Sequence, residues 1–453
     1  MMNKQRHHII QFVCIAALLA AMVLQGFTRV VKLKPLSPYT SNIVVEKQDL
    51  TFKTYLDGSY QEYLGHLARQ KTGFREFFSR CYNQVAYSCF GKIANKNVVK
   101  GKHDEFFLKG NIDDVTGKLL KSRYGTVENA KAEAQKNVRE TLTLIDTLRQ
   151  HGTQFLFVFC PTKTAVYPEY LPAAFQDSIS DFSLADYYIE LFKENNIPHI
   201  DFYNYFKTIK DTFPYPLYTR IGSHWSEATI PFVADSILRK LEAETGYHFP
   251  AIEVIDPNLT RDYSDQDGEL EASMDLLLPL CKPKASRPVF ALQDTLGKDR
   301  PNLLVVGDGY FTPLQGSCFV DAFNRWDFWL YNQTSISSRP ELNWKYLNQM
   351  FDTAETLEQA DVVLAVFTSN YLLNYLCGFN QSALELHENG VTKEQAAILS
   401  IMESIKNDPQ WYGSIQQQAQ ERGISTEECL IKNAAYVYDM QKIEQEKTTN
   451  NPK

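Results

Sequence analysis

Several kinds of chemistry are missing from this chain of 453 residues. Its eight cysteines (Cys14, Cys81, Cys89, Cys160, Cys281, Cys318, Cys377 and Cys429) contain no CxxC pair and no Cys/His spacing suited to zinc, so no structural metal and no cofactor are expected. Positive charge is not in excess either. A net charge of −8 leaves no basic field to steer a phosphate backbone, which argues against a nucleic-acid partner. There is no internal repeat. The acidic stretch Asp262 to Glu271 does not make a calcium loop: with Gly268 at the invariant glycine, Tyr263 falls at the first ligand position and Met274 at the twelfth. What remains is ordinary for a globular protein, with 44% hydrophobic and 22% charged residues. The length points to one large domain with appendages. Aromatic residues make up 13% of the chain, a composition shared by sugar-handling proteins and by many large cores.

Long apolar runs are also scarce, and the exception is informative. Ile9 to Gly26 is almost unbroken and follows Lys4 and Arg6. Eighteen helical residues span about 27 Å, close to the roughly 30 Å of a bilayer's hydrocarbon core. A cleaved signal peptide is the rival reading, but no A-x-A site follows the run. Cations on the two sides nearly tie (Lys4 and Arg6 against Arg29, Lys32 and Lys34), so charge alone does not fix the orientation. An uncleaved anchor is expected, with the rest of the chain outside the cytoplasm.

Tyr55 to Ser88 is aromatic-rich and suits helix, and Asn97 to Lys109 reads as a hairpin turning at Gly101. Thr126 to Gln150 is an amphipathic helix with Val138, Leu142, Ile145 and Leu148 on one face and Gly152 beyond its end. A buried strand, Phe155 to Phe159, follows at once. Its carboxyl end delivers the loop Pro161-Thr-Lys163 to Pro172. A helix over Leu184 to Asn195 and a strand over Pro198 to Phe202 continue the alternation, the pattern of a parallel sheet with helices on both faces. Ser226 is placed to cap a helix running to Thr245. Leu303-Leu-Val-Val306 runs without alternation into Gly307-Asp308-Gly309, which is a buried strand ending in a tight acidic turn. Such strand ends are where ligands sit in open α/β sheets. Asp361 to Phe367 is another buried strand. Past Phe379 the chain is polar and helical, with Ile398, Ile401, Ile405, Trp411 and Ile415 on its apolar positions. The boundaries expected are an anchor over 1–34, a mixed segment over 35–125, an α/β domain over 126–378 and a helical tail over 379–453.

Taken in order, the Gly101-Lys102 hairpin, Pro161-Thr-Lys163 with Tyr167-Pro-Glu-Tyr-Leu-Pro172, His224-Trp225 opening a helix, Gly268-Glu-Leu270 and Val-Val-Gly307-Asp308 resemble the alginate O-acetyltransferase group. These are exported SGNH-type proteins that acetylate cell-surface polysaccharides. The resemblance covers roughly residues 95 to 375. It implies a flavodoxin-like three-layer α/β/α fold in permuted order, with the histidine ahead of the nucleophile. It implies a polysaccharide substrate and a membrane-bound O-acyltransferase as partner. The location implied is the inner membrane, single-pass, with the main domain periplasmic.

In that family an aspartate two residues before the histidine orients it, and the histidine activates a serine in a Gly-Asp-Ser turn. Here His224 matches the base and Trp225 its neighbour, but Gly222 stands at the orienting position and Gly309 at the nucleophile position. A glycine cannot carry a covalent acetyl group. Losing the orienting aspartate alone costs about 10⁴ in turnover in a serine protease. Ser223, Ser226, Thr312 and Ser317 are the nearby hydroxyls. The residues expected at the chemistry are therefore His224, Asp308, Gly309 and Ser223, with Trp225, Lys163, Tyr167 and Tyr310 toward the substrate. Asp308 also suits a turn bonding its own backbone. Arg325 and Arg339 have weaker claims, and His7 and His8 belong to the leader's basic flank. Three roles stay open: an acetyltransferase or esterase working by an altered route, a non-catalytic relative that binds polysaccharide or the acyltransferase, and a structural envelope protein.

Overall fold

The computed structural model describes residues 2–37 and 47–449, and the chain divides into two compact units. The first holds the described residues up to Lys109 together with Arg220–Ser223 and Tyr263–Pro283. Its leading helix runs from Met2 to Thr28, and over Arg6–Thr28 it is long and apolar enough to cross a membrane, with a mean hydropathy of 2.2. Its apolar side chains face outward: Phe12 is 73% and Leu24 64% exposed. Helices Ser59–Lys71 and Arg75–Phe90 follow, and Val98–Lys100 pairs antiparallel with Phe106–Leu108 as the expected hairpin. Val98, Phe106, Ile221, Leu270 and Met274 form this unit's small core. Arg80 meets the buried Asp275 carboxylate at 3.3 Å. The stretch tested for calcium forms a helix, Asp265–Ser273, capped by Ser264.

The second unit is an SGNH-like α/β fold around a mixed sheet of seven strands: β1 (Gln154–Cys160), β2 (His199–Asp201), β3 (Asn302–Gly307), β4 (Arg325–Leu330), β5 (Thr334–Ser337), β6 (Lys345–Tyr346) and β7 (Val362–Thr368). Their spatial order is β6-β5-β4-β3-β7-β1-β2. The five from β4 to β2 are parallel, while β5 and β6 add an antiparallel edge. That edge was not anticipated, since Thr334–Ser337 and Lys345–Tyr346 are too short and polar to stand out as strands.

The apolar runs are continuous because both faces of the sheet are covered. Phe155, Phe157, Phe159, Leu304, Val306, Val363 and Ala365 face one layer, with helices Val127–Gln150, Leu184–Glu194 and Phe379–Asn389. Leu156, Val158, Leu303, Val305, Val362 and Leu364 face the other, with helix Ile230–Thr245. Each such large side chain gains about 1.5–3 kcal/mol on burial. The tail forms three helices, Lys393–Lys406, Pro409–Arg422 and Thr426–Thr449, which bury Ile398, Met402, Ile405, Ile415 and Leu430 among themselves.

One cap differs from expectation. Ser226 gives its hydroxyl to the Pro216 carbonyl at 2.7 Å and does not cap the helix. A 3₁₀ turn, Glu227–Thr229, comes first, and the α-helix starts at Ile230 with Pro231 in its first turn, where proline costs no hydrogen bond. All eight cysteines are free, Cys81 and Cys89 included.

Candidate active site

β3 ends at Gly307, and this glycine is required by packing. A β-carbon there would stand 2.5 Å from the Val366 carbonyl oxygen of the neighbouring strand β7. Close approach lets Asp308 N–H reach Val366 O at 3.1 Å and turns the chain sharply. The Asp308 carboxylate is then fully committed. One oxygen accepts the Tyr310 N–H at 2.9 Å, and the other accepts the Thr368 N–H at 2.8 Å and its hydroxyl at 2.6 Å. Burial pushes the Asp308 carboxyl above its ordinary value, while these bonds and the His224 charge pull it back. Asp308 therefore ties β3 to β7 and shapes the turn.

Gly309 is different in kind. Its backbone lies outside the left-handed region, so an ordinary residue fits its conformation. A β-carbon built on it would point at His224, 3.2 Å from Nε2, with the Tyr331 hydroxyl 3.8 Å away. No other side chain of the described residues, the chain neighbours of Gly309 aside, comes within 4 Å of that point. The fold thus brings together the two positions that the sequence singled out, His224 and Gly309.

Three of the four candidate hydroxyls are engaged elsewhere. Ser223 donates to the Glu269 carboxylate, which also accepts the Ser223 N–H at 2.9 Å. Ser226 bonds Pro216, and Ser317 bonds the Leu314 carbonyl at 2.8 Å. Burial pushes the Cys160 thiol well up and that of Cys377 to about 12, so neither is a thiolate nucleophile at neutral pH.

The four residues expected toward the substrate are buried in the packing instead of lining an open surface. Trp225 is fully buried, with its ring 5.0 Å from Tyr310 in an edge-on contact. Tyr310 also lies 4.9 Å from the His224 ring, so it is wedged between the two. Its hydroxyl bonds Tyr218, which in turn donates to the Pro161 carbonyl at 2.5 Å, and burial pushes both phenols well up. Lys163 is 1% exposed and donates to the Thr219 carbonyl at 2.7 Å. Tyr167 stacks on Tyr170 at 5.6 Å and meets Tyr218 edge-on. A strand-end loop was correctly located, but nothing in its sequence says which side chains turn inward. Arg325 and Arg339 both pair with the buried Asp327 on β4 and are structural.

Sequence reasoning missed Tyr331, Tyr371 and Thr368. Tyr331 follows β4 in a left-handed conformation, φ +54°, held by its N–H on the Gly307 carbonyl at 2.7 Å. Its ring stacks on Tyr371 at 5.1 Å, and its hydroxyl lies 3.8 Å from the place of a Gly309 β-carbon. Burial first, then the Tyr371 contact, push this phenol far above its ordinary value. A usable signal existed: Tyr331 and Thr368 both stand at the carboxyl ends of strands adjacent to β3.

Residues 119–275 match the family described as SGNH hydrolase-like domain, acetyltransferase AlgX. The resemblance read from the motifs holds over that span, which contains His224 and stops short of the Gly307–Gly309 turn. Among solved structures, the O-acetyltransferase domain of Pseudomonas putida AlgJ is 18% identical, covering 63% of this chain and 99% of that one at a TM-score of 0.40. Pseudomonas aeruginosa AlgX is also 18% identical, covering 64% and 67% at a TM-score of 0.43. Bacillus cereus PatB1 is 13% identical, covering 55% and 93% at a TM-score of 0.33. No curated protein sequence matches the chain.

Proposed function

We propose that this SGNH hydrolase-like chain, of the AlgX acetyltransferase type over residues 119–275, is a membrane-anchored protein of cell-surface polysaccharide O-acetylation with no acyl-enzyme step of its own. The observation that carries the reading is His224 Nε2 standing 3.2 Å from the place of a Gly309 β-carbon. An oxygen standing where a serine hydroxyl would be can come from the substrate. A sugar hydroxyl in the gap gives its proton to His224 as its oxygen attacks the acyl carbonyl of the donor. The donor's acyl bond breaks, and its leaving group takes the proton from His224. A membrane-bound O-acyltransferase supplies the acetyl group, and the Arg6–Thr28 helix supports holding the domain on the periplasmic face of the inner membrane.

The test is O-acetyl content of the isolated polysaccharide in cells carrying the full-length chain. His224→Ala should lower it to the level of cells without the chain. An unchanged content sinks the reading.

A second reading, a non-catalytic protein that binds the polysaccharide or the acyltransferase, is favoured by one observation. Gly309 has no side chain to accept an acyl group. On that reading deletion of the chain removes acetylation, whereas His224→Ala does not. An esterase using another nucleophile is the third alternative, and the commitments of Ser223, Ser226 and Ser317 weigh against it.

A further inference from the structure

The first unit carries an apolar stripe that faces away from its own core. On helix Arg75–Phe90, Arg80, Asn83 and Tyr87 turn inward. Asn83 donates to the Met274 and Asp275 carbonyls at 3.4 and 3.2 Å, Arg80 meets the Asp275 carboxylate, and Tyr87 packs against the unit's small core. Phe78, Tyr82, Val85 and Cys89 recur at spacings of four, three and four, which puts them on the opposite face. Phe78 is 41%, Tyr82 74% and Val85 56% exposed, and Cys89 is exposed as well. A continuous exposed apolar stripe marks a contact with a protein or a membrane.

The way this helix is tied down favours the membrane. The loop that opens it packs directly on the leading helix. A β-carbon on Gly73 would collide with the Met22 carbonyl oxygen and stand 2.8 Å from the Gly26 nitrogen, and one on Gly26 would collide with the Lys71 carbonyl oxygen. Two glycines thus let two backbones touch. From Met22 to its end at Thr28 the leading helix rises about 9 Å, at ~1.5 Å per residue. If Arg6–Thr28 crosses a bilayer, the contact falls near the headgroups. Helices lying on a membrane sink their apolar face about 5–10 Å into that same layer.

The junction is also cationic. Arg29, Lys32 and Lys71 line a cavity of about 320 Å³ beside Gly73, and Glu76 is the one acid among the described residues that line it. Cations at this level attract the phosphates of anionic lipids.

We infer that the face formed by Phe78, Tyr82, Val85 and Cys89 is a membrane-docking surface, lying on a bilayer that contains anionic phospholipid, with a headgroup phosphate in the cavity of Arg29, Lys32 and Lys71. Docking holds the first unit to the membrane by a second contact besides the span. The inference rests on the reading of Arg6–Thr28 as a membrane anchor.

The test uses the full-length chain in phosphatidylcholine vesicles with or without phosphatidylglycerol. A membrane-impermeant maleimide is added, and labelling of Cys89 is read by mass spectrometry relative to Cys281, an exposed thiol of the same unit off this helix. With phosphatidylglycerol present, the Cys89 to Cys281 ratio should be several-fold higher in Tyr82→Glu with Val85→Glu than in the native chain, because two charges expel the stripe from the bilayer. In the native chain the ratio should rise when phosphatidylglycerol is omitted. Arg29→Gln, Lys32→Gln and Lys71→Gln together should abolish that dependence. All five positions are exposed, so the substitutions leave the packing intact.

Equal Cys89 labelling in the native chain and the glutamate variant overturns the inference. Protection that does not depend on phosphatidylglycerol overturns the headgroup assignment. A Cys89 open in pure lipid vesicles but protected in cell membranes would show that a protein covers the face instead, and the inference fails. An alkaline carbonate wash reports the anchor separately. If the chain washes off the vesicles, the anchor reading and the inference fall together; if it stays while Cys89 is open, the inference alone falls.

Discussion

His224 Nε2 stands 3.2 Å from the point where a β-carbon on Gly309 would sit. Contacts of that length are tight but not forbidding, because a histidine ring can move a few tenths of an ångström and the Gly309 backbone is one that any residue adopts. Gly309→Ala therefore should fold, at a cost of less than about 1 kcal/mol, yet fill the seat that an incoming hydroxyl needs. Polysaccharide acetylation should drop to the level of His224→Ala. Normal acetylation with alanine in place would show that the gap is not used.

Gly307, two residues away, should respond in the opposite manner. Its β-carbon would meet a backbone carbonyl at 2.5 Å, and Val366 O sits in a paired central strand that cannot step aside. Gly307→Ala is expected to cost about 1–3 kcal/mol or more. Urea unfolding of the two alanine variants side by side checks the contrast, and equal stabilities would contradict it.

Thr368 supplies two of the three donors that hold Asp308, its N–H and its hydroxyl. Thr368→Val keeps the shape and the N–H but removes the hydroxyl beside a buried carboxylate. A loss of about 1–3 kcal/mol is expected, measurable by chemical denaturation. Much of it should vanish when Asp308→Asn is also present, since the two act as one unit.

Asp114 gives a pH dependence. It lines a cavity of about 240 Å³ and bonds the Ser369 hydroxyl at 2.9 Å, and burial raises its carboxyl from 3.8 to about 6. Between those values the folded chain keeps a proton that the unfolded chain has released. Stability contributed by this group is thus present below about pH 4 and is lost as the pH rises to about 6. The loss is at most about 3 kcal/mol, less where solvent reaches this partly buried group. Asp114→Asn should flatten that part of the curve and raise stability at neutral pH, as followed by thermal unfolding from pH 4 to 7. An unchanged slope would rule out Asp114 as its source.

Much of the fold was legible because its signals are local. Unbroken apolar runs at Phe155–Phe159, Leu303–Val306 and Asp361–Phe367 marked strands covered on both faces. The Thr126–Gln150 periodicity marked a helix, and the run from Ile9 marked a span long enough for a bilayer. The order of the motifs also paired His224 with Gly309, and the two positions lie close together although 84 residues separate them. Side-chain direction at strand ends was not legible. Trp225, Lys163, Tyr167 and Tyr310 turn inward because Phe202, Phe206, Thr219 and Tyr218 await them across the fold, and none of those partners is near in sequence to the residue it meets. Tyr331 was invisible for the same reason. Its place at Gly309 depends on β4 lying parallel to β3 in one register, with Leu330 opposite Gly307. The sequence by itself determined that His224 and Gly309 occupy matching places in the resembled motif order, the second of them without a side chain. Only the tertiary structure decided that the two positions face each other and that a tyrosine from the next strand borders the gap between them, because such convergence is set by pairing between strands and not by any one segment's composition.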